Sequence, residues 1–255
     1  MKYAHEKLII LLSLLVFNCQ CNNPSSAHQL RPFYYPYKDM QAGMIYEYIP
    51  LNNKKKSHVY WYLQSIKEGE KWYMQELYLE DDYLPLQFVR EKIVSNGVLI
   101  KKIDLFLPDN SQQLIEVSGK IHSGNVFSFD AKKYERVLLS KYVFEIPDGS
   151  QSTTTIIKNR QFEGDTTINI AGHKYQTARF RVKELVSMGN EKDGYTEPEF
   201  SGVEHYGKNT GLIHYKKEAE GKTIFEYALK KRYPLNEATD QLQEAIQSFL
   251  SKKDK

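Results

Sequence analysis

The sequence predicts a mainly β domain of the α+β class: a curved antiparallel meander sheet or half-barrel with one C-terminal helix packed on it. Three observations predict it. Strand-like runs recur along the chain, each bounded by turn residues. The gaps between them are too short for the helical crossovers that parallel strands require. Aromatic residues make up 13% of the chain, with 19 Tyr against 2 Trp, a bias toward pleated, half-buried surfaces. Hydrophobic residues at 41% and charged residues at 26% are ordinary for a globular domain.

The chain divides into three parts. Residues 1–18 read as a lipoprotein signal peptide: Lys2 and Lys7 form a charged start, and Leu8 to Phe17 is an apolar run, interrupted by Ser13 alone, too short to span a bilayer as a stable helix. The two cysteines of the chain, Cys19 and Cys21, follow at once. They are too close in sequence for an unstrained disulfide and have no neighbouring ligands for a metal. A thiol in this place can instead be acylated and become the mature N-terminus, and Val16-Phe17-Asn18-Cys19 is similar to a relaxed bacterial lipobox, with Asn18 where a small residue is usual. The alternative is ordinary cleavage after Ala27, which follows Ser25 and Ser26. With Cys19 lipidated, residues 19–32 read as a flexible tether, rich in Asn, Ser, Pro and Gln. Residues 33–255 read as a single antiparallel β domain.

Within that domain strands are predicted over Gly43 to Ile49, His58 to Ile66, Lys71 to Leu79, Leu86 to Ser95, Val98 to Leu107, Gln113 to His122 and Asn125 to Phe129. Turns are predicted at Asn96-Gly97, Gly124-Asn125, Glu163-Gly164-Asp165, Ala171-Gly172 and Glu220-Gly221. Lys132 to Ser140 is open to a short helix or a strand. Asp148 to Thr155 is the nearest thing to an interdomain linker, or else a loop leading into a Thr-rich edge strand. The C-terminal helix is placed at 236–251. Asn236 serves as its N-cap, and Leu242, Ala245, Ile246, Phe249 and Leu250 form one apolar stripe suited to covering a face or edge of the sheet.

The chemistry-bearing patterns are few. The formal charge is +3, falling to about +2 once the signal is removed, and the one basic run, Lys54-Lys55-Lys56, sits in a turn, so nucleic acid is not implied. There is no G-x-S-x-G elbow, phosphate loop, dinucleotide fingerprint or H-E-x-x-H. No catalytic residue and no cofactor are therefore assigned, and a non-enzymatic role is expected. The constellation with metal chemistry is His205 and His214. A two-residue turn at Asn209-Thr210 places them opposite each other, close enough to share a divalent ion with Glu204; the alternative is two surface histidines. Tyr46, Tyr60, Tyr62, Tyr73, Tyr78 and Tyr227 are the candidate lining of an apolar concavity, the alternative for each being plain sheet packing.

Three segments carry a family resemblance. TINIAGHKYQTARF at 167–180, HYGKNTGLIHY at 205–215 and the opening Met40 to Tyr48 resemble a set of bacterial lipoproteins of uncharacterised function. Their architecture is similar to the lipoprotein-carrier half-barrels of LolA/LolB type. The resemblance implies a curved sheet, a helix against it, an apolar concavity and no catalytic residues. The expectation is thus an exported, lipid-anchored envelope lipoprotein that binds an apolar or amphipathic ligand on a curved sheet. Its partners would be the membrane through the anchor, a lipid or hydrophobic ligand, and envelope proteins. The placement is the outer membrane, with a secreted or periplasmic protein as the alternative. A structural or adaptor lipoprotein that docks other envelope proteins is the second reading.

Overall fold

In the computed structural model of the chain, residues 27–52, 57–109, 113–147 and 151–253 are described. The signal segment, Cys19 and the Lys54–Lys56 run lie outside them. The strands are β1 (His28–Gln29), β2 (Met44–Pro50), β3 (Val59–Glu68), β4 (Lys71–Leu79), β5 (Pro85–Val94), β6 (Gly97–Pro108), β7 (Leu114–Ser118) and β8 (Lys120–Ser128). They continue with β9 (Asp130–Ala131), β10 (Val137–Glu145), β11 (Thr153–Ile170), β12 (His173–Asn190), β13 (Gly194–Thr196), β14 (Glu199–Gly207), β15 (Gly211–Ala219) and β16 (Lys222–Pro234). One α-helix, α1 (Asp240–Lys253), follows.

The sheet is a meander, and it closes. Sequential antiparallel pairing runs from β2 through β6, β8, β10, β11, β12, β14 and β15 to β16, and β16 pairs back onto β2 with Leu229 opposite Tyr48. The result is a closed barrel of twelve strands, not the open curved sheet or half-barrel expected. Closure leaves no unpaired edge in the ring, which removes the hazard that an exposed strand presents. β7 continues β8 along β6 past a kink at Gly119, where a Cβ would stand 2.7 Å from the Phe144 ring.

Several local expectations are corrected. The short helix allowed at Lys132 to Ser140 is a turn leading into β10. Gly124-Asn125 lies inside β8. Glu163-Gly164-Asp165 is a bulge within β11, where Gly164 adopts φ +121°. The β5–β6 turn is centred on Ser95 and Asn96, with Gly97 paired to Val94. Gly97 has an ordinary backbone but a Cβ there would stand 2.4 Å from the Phe127 carbonyl oxygen, so close strand approach is what it serves. No interdomain linker separates β10 and β11, which pair along nine residues; Thr153 to Thr155 open β11, in keeping with the alternative of a loop leading into a Thr-rich strand, and residues 148–150 lie outside the described ones.

The helix begins at Asp240, not Asn236. Leu235–Glu237 forms a short 3-10 turn, and Thr239 supplies the cap, its Oγ1 accepting from the Leu242 N–H at 3.4 Å. The predicted stripe is correct, and it lies on the outside of the barrel: Leu242, Ile246, Phe249 and Leu250 cover Ile45, Tyr62, Leu77, Phe88 and Phe106. Lys253 fastens the helix end through Asp104 Oδ2 at 2.7 Å. Burial alone would raise the fully buried Asp104 carboxyl, but Lys253, Ser118 and Lys102 outweigh it and hold the pKa below the usual range.

The segment from His28 to Pro32, read as the end of the tether, belongs to the fold. β1 pairs with β9, Leu30 is completely buried, and the Asn209 N–H donates to the Pro32 carbonyl at 2.7 Å. Phe33, Tyr34 and Tyr35 follow it into the interior and plug that end of the barrel. Gly211 is required here: it adopts φ +91°, and a Cβ would stand 2.1 Å from the Tyr35 ring.

Candidate functional site

Twelve strands enclose a wider interior than the eight whose side chains alone can fill a barrel. The plug takes up one end, and a cavity of about 370 Å³ remains. Its floor is Tyr34, Tyr35, Phe127, Tyr206 and Leu212. From there it extends toward Trp61, Tyr78, Leu105, Ile156 and Phe225, near the strand ends farthest from the plug. Strand alternation divides the lining into two kinds of wall. Val89, Ile100, Ile103, Leu105 and Val126 make an apolar side. Lys158, Arg160, Glu184 and Glu204, from β11, β12 and β14, make a charged one.

The charged wall is mostly self-compensated. Arg160 Nε donates to Glu204 Oε2 at 2.7 Å, Lys158 Nζ lies 2.7 Å from Oε1, and the Tyr206 hydroxyl donates to Oε2 at 3.0 Å. Burial would raise the Glu204 pKa, but the two cations hold it far below the carboxylate range. Lys217 pairs with Glu184. Two carboxyls remain. Glu91 accepts from the Tyr34 hydroxyl at 2.6 Å, which ties the plug to the wall. Among the described residues Glu76 has no hydrogen bond compensating its charge, and burial, then Glu91, push its pKa well above the ordinary value. Glu76 opposes Val89 and Glu91 opposes Met74, so the two acids are diagonal neighbours on one face of β4 and β5.

The six predicted tyrosines separate by strand parity. Tyr78 lines the cavity. Tyr46 and Tyr227 also face inward: Tyr46 donates to the Thr210 carbonyl at 2.6 Å beside the plug, and Tyr227 stacks on Tyr215. Tyr60 and Tyr62 face outward and pack in the cluster beneath α1. Tyr73 is also outside, its ring under the Arg90 guanidinium at 4.4 Å. These three therefore cannot line the lumen. Glu76, Glu91 and Arg160 were missed in the sequence, and Glu204, named there as a companion of the histidines, serves Arg160 and Lys158 instead; the available signal was charge at inward strand positions.

His205 and His214 do meet across β14 and β15, with Nδ1 atoms 3.0 Å apart, although a bulge at Ile213 lies between their pairing and that of Tyr206 with Leu212. Glu204, the third ligand considered for this pair, points to the opposite face, and Glu226 engages the far nitrogen of His214 at 2.9 Å; among the described residues no group of three or more His, Cys, Asp or Glu is placed to hold an ion. Burial, then His214 and Arg179, push the His205 pKa down to about 4 from 6.5. Between those values the unfolded chain binds a proton that the folded one refuses, so stability falls as pH drops through that window. Urea unfolding at pH 7 and pH 4.5 is expected to show a loss for wild type about 2 kcal/mol larger than for His205→Gln.

The class defined by these features is a closed, plugged antiparallel barrel with a two-sided lumen. Among solved structures, the chain is similar to an exported protein of provisional assignment from Bacteroides fragilis, described as having a YmcC-like fold. The TM-score is 0.51 at 9% identity, over 79% of this chain and 99% of that one. It is also similar to a protein provisionally assigned as a lipoprotein from Parabacteroides distasonis, with a TM-score of 0.47 at 9% identity, over 79% and 98% of the two chains. The first likeness identifies the fold as YmcC-like. No protein-family model matches the sequence, and no curated protein is significantly similar to it.

Proposed function

We propose that this chain is a non-enzymatic, exported binding protein whose barrel lumen holds a small amphipathic ligand. The observation that supports the reading most is the cavity itself: about 370 Å³, apolar on one side and charged on the other, within the range of small-molecule sites. Packing to native density would leave no such space. The role parallels that of lipoprotein carriers, with the ligand inside a closed ring in place of a half-barrel. Titration with the neutral fluorophore N-phenylnaphthylamine tests it. Saturable enhancement at one site per chain is expected for wild type, and its loss for Val89→Trp and for Leu212→Trp, each of which fills the lumen. Equal enhancement in all three proteins would contradict the reading.

Anchoring through Cys19 is part of the proposal. The short apolar leader ending at that thiol supports it, as does the export assigned to the B. fragilis protein of the same fold. Because the chain enters the fold at the plugged end, a lipid on Cys19 would turn that end to the bilayer and the cavity's far end away from it. In a bacterial host, Cys19→Ala is expected to move the protein from the membrane pellet to the soluble envelope fraction. An unchanged distribution would remove the anchor.

A further inference from the structure

We infer that the ligand's polar group is cationic, an ammonium or similar organic cation, held between Glu76 and the aromatic end of the lumen. This inference rests on the lumenal reading and narrows it.

Two observations carry it. The first is the balance of charge on the wall. Arg160 and Lys158 are both engaged by Glu204, and Lys217 by Glu184, so among the described residues no lumenal cation is paired with Glu76 or Glu91. Glu91 has the Tyr34 hydroxyl; among the described residues Glu76 has no such partner. The groups that act on Glu76 are Glu91 and Glu204, both unfavourable to its ionised form, and Arg160, which is spent on Glu204. An acid placed so is a net cost to the folded protein, and its carboxyl stands well above the ordinary range. An incoming cation removes that cost; an incoming anion adds to it.

The second observation is the surface beside that acid. Trp61 packs on Tyr78 with ring centroids 5.6 Å apart, on Tyr48 at 6.0 Å and on Tyr215 at 6.2 Å. Tyr215 continues the cluster to Phe225 at 5.8 Å and Tyr227 at 5.5 Å. A contiguous aromatic wall with a carboxyl at its edge is the chemistry that receives organic cations, because ring faces carry negative charge density and the acid supplies the counter-ion. Glu76 and Tyr78 point the same way from β4, two residues apart, so one bound group can meet both.

The test compares three ten-carbon amphiphiles by calorimetry: decyltrimethylammonium, decyl sulfate and decanol, with N-phenylnaphthylamine as the neutral reference probe. Decyltrimethylammonium is expected to bind at least ten-fold more tightly than either of the others. Glu76→Gln is expected to weaken it at least ten-fold more than it weakens the reference probe. That variant should fold, since it removes an uncompensated acid; Tyr78→Leu, which leaves every carboxyl in place, should weaken the cation three-fold or more. Probe binding with no preference for the cation, or a preference that survives both substitutions, overturns this inference and leaves the lumenal reading intact. Failure of the probe and of all three amphiphiles overturns both.

Discussion

Glu204→Ala is expected to destabilise the fold by about 3–5 kcal/mol, the largest single loss available in the lumen. The carboxylate holds two cations, Arg160 and Lys158, and accepts from the Tyr206 hydroxyl, with only 8% of its side chain exposed. Removing it leaves Arg160 as an uncompensated charge in a restricted space. Replacing Arg160 and Glu204 together with Leu should cost less than Glu204→Ala alone, because the desolvation penalty of both ions disappears with them. The pH dependence has a definite sign. The Glu204 pKa is depressed on folding, so its stabilisation is complete above the unfolded value of 4.5 and is progressively lost as pH falls below it. Chemical denaturation at pH 7 and pH 4, with midpoint and slope both fitted, checks the magnitude and the sign.

Tyr35→Ala is the second large effect, expected at about 3–5 kcal/mol, the range for truncating a large buried aromatic. Tyr35 is 5% exposed, stands edge-on to Tyr34 and Tyr46, and covers Gly211 where no side chain fits. The plug is also held by β1 on β9, by the Leu30 N–H donating to the Phe129 carbonyl, by Arg31 donating to the Ser95 carbonyl, by the Pro32 carbonyl and by the Tyr34–Glu91 hydrogen bond, none of which holds the Tyr35 ring itself. Loss of Tyr35 should therefore also loosen the cavity floor, seen as faster hydrogen exchange at Leu30 and Asn209 than at the β3–β4 pair. A destabilisation under about 1 kcal/mol with unchanged exchange would mean that the ring closes without its plug.

Much of this architecture was legible in local sequence. Lys71 to Leu79 is a strand as predicted, the Ala171-Gly172 and Glu220-Gly221 turns are present with positive φ at all four residues, and the helical stripe from Leu242 to Leu250 is intact. Closure was not legible. It depends on β16 pairing with β2, and strands so distant leave no periodicity or turn by which either end names the other. The plug was hidden for a related reason: Gln29, Arg31 and Pro32 read as polar linker, and only their fit against β9 and the β14–β15 turn makes them structure.

The face assignment of the tyrosines failed on β3 because both faces of that strand are apolar. Trp61 and Leu63 pack inward, whereas Tyr60 and Tyr62 pack under α1, so alternation separates the two sets without saying which is inside. The charged wall was missed because its members, Arg160 on β11 and Glu204 on β14, meet only after the ring has formed. The histidine pair, by contrast, sits on one hairpin, and its meeting was readable from the turn even though the Ile213 bulge was not.

The claim on which the rest depends is that the lumen is built to be occupied. Native mass spectrometry of full-length protein, released from its own envelope without detergent, tests this most directly. The account predicts a single small amphiphile retained per chain in wild type and absent from Val89→Trp. A wild-type protein that carries the bare chain mass, whether or not ligand-bearing envelope extract is added back, would contradict it.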